Sequence, residues 1–412
     1  MRFFLGLSII GYMIMKKSVY IEGDGCNRRL LEKAKIISYL KRNGYRFRSR
    51  PNKADYLILF TCAFIKDEED DSSIRVHALQ NYKGRLLVFG CLPDIAPHRI
   101  EKIDTIYKIA PKDLDRIDTF FEGIQVRYAD ILTPSTMKNP SYVDLVQLLK
   151  RNLFKRNILE SLFRRLPEFF SKPNKLYYLM VCQGCLGNCS YCAIRRAVGS
   201  TKSKPIASVI AEFHAGIKAG YHNFVLLGDD LGSYGLDGPG TLPILMQSLQ
   251  EVIKGINKPS VRFHLKEVHP KFLLHYEDLL LPLFEPSNIK SLLCPIQSGS
   301  PRILGLMRRE HTVDDIKRLI GKIHQINPDI ELATQIIVGF PTETEEDFEA
   351  TLRLVAELKF RWLVVFPYDP KNGTPAAAMA GQIPIEIVRK RVRKATKYFR
   401  HFGIKALTRC PW

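Results

Sequence analysis

Three cysteines spaced Cys185-x3-Cys189-x2-Cys192 stand in the run Cys182-Gln-Gly-Cys-Leu-Gly-Asn-Cys-Ser-Tyr-Cys192. Three thiolates this close in sequence can wrap a compact metal centre and leave one metal position without a protein ligand. Thiolates select soft metals, chiefly zinc, Cu(I) or iron–sulfur clusters. A zinc ribbon usually carries two Cys pairs about 15–20 residues apart. Cys182, Cys185, Cys189 and Cys192 are too crowded for two such knuckles. An iron–sulfur cluster with an open iron fits the spacing better.

The elements that would position these thiols alternate between strand and helix patterns. Lys17–Gly23 reads as a strand. Asn27–Asn43 reads as a helix with Leu30, Leu31, Ala34, Ile37 and Leu40 on one face. Tyr56–Phe60 and Arg85–Phe89 are apolar strands, with a polar helical stretch from about Glu68 to Tyr82 between them. Asp104–Ala110 reads as a fourth strand, with a helix near Asp113–Phe121 after it. Such alternation argues for a parallel sheet with covering helices. Further strand-like runs at Tyr177–Val181, Asn223–Leu227, Val261–Leu265, Lys290–Pro295, Glu331–Val338 and Arg361–Phe366 alternate with helical stretches. The expected fold is therefore α/β: an N-terminal parallel-sheet domain followed by a partial (β/α)6 barrel, with working residues on loops at the strands' carboxyl ends. Cys26, Cys62 and Cys91 each fall just past the carboxyl end of an N-terminal strand, where open α/β sheets bind ligands. Three cysteines about thirty residues apart in sequence would thus converge on one rim.

The Cys185–Cys192 run, with Tyr191 before its last Cys, resembles the signature of radical S-adenosylmethionine (SAM) enzymes. Gly25-Cys26-Asn27, Phe60-Thr61-Cys62 and Gly90-Cys91 resemble the N-terminal domain of the radical SAM methylthiotransferases, which modify transfer RNA or a ribosomal protein. The likeness continues through Gly228-Asp229-Asp230 with Tyr234-Gly235, Pro295-Ile-Gln297-Ser298-Gly299-Ser300, Met307-Arg308-Arg309, Ile336-Ile-Val338-Gly339-Phe340-Pro341, Phe366-Pro-Tyr368 and Gly373-Thr374-Pro-Ala376. It spans about Val19 to Met379. The resemblance implies two [4Fe–4S] clusters, one on Cys185, Cys189 and Cys192 and an auxiliary one on Cys26, Cys62 and Cys91. It implies SAM bound near Tyr191, Gly228 and Asp229, with Gln297, Ser298, Val338 and Gly339 along its ribose and adenine. SAM would be split to a 5′-deoxyadenosyl radical that takes hydrogen from an unactivated C–H, and the substrate would receive a methylthio group. Beyond the cluster ligands, no catalytic side chain is expected. A tRNA adenosine is the expected acceptor, and a reducing donor such as flavodoxin or ferredoxin the expected partner. The alternatives are radical SAM modification of a protein or peptide, a reaction without sulfur insertion that uses the second cluster for electron transfer, and an iron–sulfur sensor with a basic nucleic-acid surface.

Several features depart from the family pattern. Gln335 stands where the family usually has Asp, and Asn27 comes directly after Cys26 where the family's Asn comes a little later. The family's C-terminal RNA-binding (TRAM) domain is expected to be missing from the residues after Met379. The division expected is 16–130 for the auxiliary-cluster domain, 131–175 for a basic helical linker, 176–382 for the barrel and 383–412 for a basic helix and tail. The formal net charge is +20, concentrated at Leu149–Leu166 and Ile387–Arg400; such patches can track phosphates. Nine cysteines are too few and too oddly placed for a disulfide scaffold, and Cys182, Cys294 and Cys410 read as unpaired. The apolar run Phe3–Met15 is too short to span a bilayer as a helix, and Met13 or Met15 is the expected start. A cytoplasmic monomer without stable membrane insertion is the expectation from these readings.

Overall fold

The N-terminal strands are continuous apolar runs, the pattern of a parallel sheet covered on both faces. The computed structural model of the chain describes residues 17–23, 25–103, 106–136, 176–285 and 288–408. The expected apolar run Phe3–Met15, the basic stretch Leu149–Leu166 and Cys410 lie outside them. β1 (Ser18–Gly23), β2 (Arg46–Phe47), β3 (Tyr56–Thr61), β4 (Arg85–Gly90) and β5 (Ile106–Ile109) form one parallel sheet in the order β2-β1-β3-β4-β5. α1 (Asn27–Arg42) and α2 (Lys66–Leu79) connect these strands, and a short α3 (Leu92–Ile95) comes after β4. One face packs Ile36, Tyr39 and Leu40 of α1 on Ile58, Phe60, Leu87 and Phe89; the other packs Val76 and Leu79 of α2 on Leu57, Leu59, Leu86 and Val88. This strand order changes direction between β1 and β3, the switch point at which doubly wound sheets bind ligands.

The segment expected to be a helix near Asp113–Phe121 is a 3₁₀ helix over Pro111–Phe120. Its apolar residues Leu114, Ile117 and Phe120 recur every third position, which suits three residues per turn better than 3.6.

The second sheet holds β6 (Leu176–Met180), β9 (Asn223–Leu227), β10 (Arg262–Leu265), β11 (Ile289–Leu293), β12 (Glu331–Val338), β13 (Trp362–Pro367) and β14 (Lys405–Leu407), paired in parallel in chain order. A two-stranded antiparallel ribbon of β7 (Cys182–Gln183) and β8 (Lys202–Ser203) frames the cysteine loop between β6 and β9. α4 (Ile206–Lys218), α5 (Leu242–Gly255), α6 (Val313–Ile326), α7 (Glu345–Glu357) and α8 (Ile385–His401) flank the sheet. The six expected barrel strands are present within one or two residues of their expected ends. The region after residue 382 adds a strand that its sequence does not announce: β14 extends the sheet beside β13, pairing Lys405 with Trp362.

Phe224 and Leu226 of β9 face the helices, whereas Val225 and Leu227 point to the opposite, inner face. There they meet Leu31 of α1, together with Tyr178 and Met180 of β6. The first helix of the N-terminal domain therefore covers the inner face of the barrel beside its β6 edge. Burying Leu31 in this way is worth about 1.5–3 kcal/mol. On the other side, Phe64 packs edge-on against Phe366 with ring centroids 5.2 Å apart, and Lys371 Nζ lies 2.9 Å from Glu69 Oε2, both side chains being buried. Lys371 Nζ also lies 2.7 Å from Asp369 Oδ2, and Lys66 and Arg99 reach Glu69, so the pair sits at the centre of a small charge network across the domains.

Candidate functional site

Each N-terminal cysteine is delivered by the end of a strand. Gly23 ends β1 with φ +102°, and Gly90 ends β4 with φ +113°. A Cβ at either would stand 2.1–2.2 Å from the Phe60 or Thr61 carbonyl oxygen of β3, so only glycine lets the three strand ends approach this closely. Cys26 then caps α1, its carbonyl accepting the Leu30 N–H at 3.0 Å. Cys91 caps α3, and its N–H donates to Thr61 O at 3.2 Å, next to Cys62. The Ser72 hydroxyl of α2 accepts the Cys62 N–H at 3.0 Å and donates to the Cys62 carbonyl at 2.9 Å. The three thiols are close enough that ionising one opposes ionisation of the next. Burial pushes Cys62 up to about 12 and raises Cys91 further. A bare thiolate is disfavoured at such a site, and a bound metal reverses that balance by stabilising the anion.

The second trio lies on the loop after β6. Gly187 N–H donates to Cys185 Sγ at 3.1 Å, and Arg309 Nη1 donates to Cys189 Sγ at 3.4 Å. Arg309 is buried; its Nη2 donates to Pro295 O at 2.6 Å and its Nη1 lies 3.5 Å from the Tyr191 hydroxyl. Burial pushes Cys185 up to about 12. A Cβ on Gly187 would lie 3.2 Å from Cys185 Sγ and 3.8 Å from Cys189 Sγ, so the glycine keeps clear a space between the sulfurs. Among the described residues no three His, Cys, Asp or Glu side chains converge on a single ion. Both trios thus fit a [4Fe–4S] group by donor type, and the second also by the space Gly187 keeps clear and the donors aimed at Cys185 and Cys189 sulfur.

The remaining sequence-predicted residues divide by where they point. Gly228 and Asp229 come directly after β9. Both Asp229 carboxylate oxygens are engaged, Oδ2 by the Gly184 N–H at 2.8 Å and Oδ1 by Arg28 Nε at 3.0 Å. Next to it Asp230 is 4 % exposed, and its Oδ2 has no hydrogen-bond partner among the described residues. Gln297 is buried with φ +69°, and its Oε1 is likewise without a partner among them. Ser298 Oγ is committed to Thr351 and to the Ser300 N–H. Val338 packs in the main core, and Gly339 packs against Val388 of α8 while its N–H donates to Glu343 Oε2 at 2.7 Å.

Sequence reasoning missed four residues here. Arg28 and Arg309 meet the two cysteine loops, while Lys266 and Glu267 lie just past the end of β10. Cys26, Asn27, Arg28, Leu227, Lys266 and Glu267 line one cleft between the domains. Glu267 holds φ +58°, unusual for a non-glycine residue and a mark of functional strain elsewhere. Its Oε1 accepts Gln335 Nε2 at 3.2 Å, so the carboxylate missing at position 335 is replaced by one from the neighbouring loop. The only signal for any of these is at Arg309, which lies within the Met307-Arg308-Arg309 run. No helix among the described residues is long and apolar enough to cross a membrane.

Comparison with known proteins agrees with this geometry. Residues 18–110 match the family described as Uncharacterized protein family UPF0004, and residues 179–355 match the radical SAM superfamily. The ribosomal protein uS12 methylthiotransferase RimO of Citrifermentans bemidjiense is 30% identical over 387 residues, covering 92% of this chain and 81% of that protein. The threonylcarbamoyladenosine tRNA methylthiotransferase of Drosophila melanogaster is 30% identical over 386 residues, covering 93% of this chain and 65% of that protein. Among solved structures, the radical SAM methyltransferase TsrM from Kitasatospora setae, with cobalamin and a [4Fe-4S] cluster bound, superposes with a TM-score of 0.61 over 88% of this chain and 77% of that one. At 12% identity, that likeness speaks for the fold alone. The chain therefore belongs to the radical SAM methylthiotransferases, enzymes that work with SAM and two [4Fe–4S] clusters.

Proposed function

We propose that this protein inserts a methylthio group at an unactivated C–H of a tRNA adenosine. The observation that carries the reading is that Cys26 of the auxiliary trio and Leu227 and Glu267 of the barrel mouth come together at one small cavity between the domains. Cys26, Cys62 and Cys91 hold one cluster and Cys185, Cys189 and Cys192 the other, within an auxiliary-cluster domain over 16–130 and a barrel starting at 176. Bound there, the clusters and SAM supply one-electron reduction, methyl transfer and sulfur. The protein's own work is placement. Arg309 orients Cys189, Tyr191 packs beside the cluster loop, and Asp230 and Gln297 offer unpartnered oxygens to SAM while Gly228 offers backbone. Lys266, Glu267 and Asn27 line the space left for the acceptor carbon, which must meet both centres in one geometry.

A basic stripe supports RNA as the acceptor. Arg389, Arg393, Lys397 and Arg400 are exposed along one side of α8, whose opposite side buries Val388, Ala395 and Phe399. Lys394 beside them pairs with Glu345 and Glu349, and none of the four has an ion-pair partner among the described residues. A phosphate backbone complements such a row. A ribosomal protein is the second reading, favoured by the greater coverage of the uS12-modifying relative, 81% against 65%. A reducing donor of the flavodoxin or ferredoxin type and a monomeric, cytoplasmic enzyme complete the proposal. Reconstituted enzyme given SAM, dithionite and either bulk tRNA or ribosomal protein uS12 decides between acceptors. Mass spectrometry should find CH3S in place of H on a tRNA nucleoside; the same gain on uS12 alone would overturn the RNA reading.

A further inference from the structure

Arg28 lies between the two cysteine loops and touches the machinery of both. It stands two residues after Cys26, in the first turn of α1. Its Nη1 donates to Gly228 O at 2.9 Å, and its Nε stands 3.0 Å from Asp229 Oδ1. The other oxygen of Asp229 accepts the N–H of Gly184, the residue before Cys185. A continuous set of polar contacts therefore runs from the start of α1, across 200 residues of sequence, to the first ligand of the second trio. The Asp229 side chain is 3 % exposed and that of Arg28 18 %, so the pair is little screened by water. No other ion pair joins α1 to the β9 loop among the described residues. On the far rim, Lys371–Glu69 and Phe64–Phe366 fasten the same two domains independently.

We propose that Arg28 is a positioning residue: it fixes the separation of the two cysteine trios across the cleft. This rests on the assignment of one cluster to each trio made above. With the far rim still fastened and Leu31 still packed on β9, loss of Arg28 loosens the start of α1 against the β9 loop rather than separating the domains. Chemistry confined to one trio then survives, and chemistry that must cross the cleft fails. Two SAM reactions separate these. With dithionite as the one-electron donor, a C–S bond of SAM would break to give methionine and a 5′-deoxyadenosyl radical, which would take a hydrogen atom from the buffer or the protein to become 5′-deoxyadenosine. Without reductant, a sulfide of the auxiliary cluster that Cys26, Cys62 and Cys91 would hold could accept the methyl group of SAM, whose sulfur would keep the C–S electron pair and leave as S-adenosylhomocysteine.

The test uses the full-length, reconstituted protein with SAM as the only added ligand. In Arg28→Gln, S-adenosylhomocysteine formation should fall about a hundredfold, the scale of an ångström-sized misplacement, while 5′-deoxyadenosine formation, touched only through the lost contacts to Gly228 and Asp229, should fall by less than about tenfold. Arg28→Lys, which keeps the charge near Asp229, should recover part of the loss. Pulsed EPR of the two reduced clusters gives a readout free of turnover: the intercluster distance distribution should broaden in Arg28→Gln and narrow again in Arg28→Lys. Wild-type methyl transfer with an unchanged distance distribution in Arg28→Gln would overturn the proposal. So would an equal fall in both reactions at full iron content. Wild-type protein with both clusters but no S-adenosylhomocysteine would instead defeat the methylthiotransfer reading beneath it.

Discussion

Asp230→Asn probes the charge at the centre of the barrel mouth. The side chain is 4 % exposed; Oδ1 accepts the N–H groups of Gly232 at 3.1 Å and His269 at 3.3 Å, and Oδ2 accepts none from the described residues. Burial outweighs those two bonds and pushes the carboxyl from 3.8 up to about 6. The folded chain thus keeps this proton where the unfolded chain has already lost it. For an acid raised in this way, stability is highest below 3.8, declines as the pH climbs towards 6 and is level above it. At about 1.4 kcal/mol per pKa unit, the deficit at pH 8 is about 3 kcal/mol, and at pH 5 about half of that. Asn retains an oxygen for the two N–H groups and carries no charge. Asp230→Asn should therefore raise the urea midpoint of the metal-free chain at pH 8, less at pH 5, while SAM affinity of the reconstituted enzyme falls. Unfolding monitored by circular dichroism at the two pH values, with equilibrium dialysis of SAM, reads both effects. A midpoint lowered at pH 8, or one raised equally at both pH values, would refute the reasoning, because the carboxylate would then be held as an anion by its backbone donors.

Two further outcomes concern the second trio. Arg309→Gln removes a cation whose Nη1 lies 3.4 Å from Cys189 Sγ. Reduction adds negative charge there, so the cluster's potential should become more negative by up to about 130 mV, the equivalent of one charge-assisted hydrogen bond. An EPR redox titration in a Cys26→Ala/Cys62→Ala/Cys91→Ala background measures it, and an unaltered potential would deny Arg309 this role. Gly187→Val fills the space whose Cβ position is 3.2 Å from Cys185 Sγ. Iron per chain should fall from about eight to about four; full loading would show that the space is not the cluster's.

The fold is largely legible in the sequence because its strands are apolar runs broken by polar helices, and a strand's end fixes the place of the next few residues. Cys26, Cys62 and Cys91 can be assigned to one rim for that reason alone. β14 escapes such reading because Lys405-Ala-Leu407 is three residues long and gains its identity only by pairing with Trp362–Val364. Helical periodicity runs α1 on through Asn43; in the structure Asn43 caps the helix, its side chain joining the N–H groups of Gln125 and Val126. At the site, cysteine spacing carries nearly all the information. Arg28 meets Asp229, and Glu267 meets Gln335, through tertiary contacts that join residues far apart in sequence. Gln335 reads in sequence as a lost carboxylate, but its replacement depends on Glu267 adopting a left-handed backbone that no local pattern announces.

The proposed chemistry requires that each cysteine trio hold its own [4Fe–4S] cluster. Mössbauer spectroscopy after anaerobic reconstitution, on wild type and on Cys185→Ala/Cys189→Ala/Cys192→Ala, tests it most directly. About eight irons per chain are expected in the wild type and about four in the triple variant, all four in the auxiliary cluster. About four irons in the wild type, lost in the variant, would leave Cys26, Cys62 and Cys91 without a cluster and contradict it.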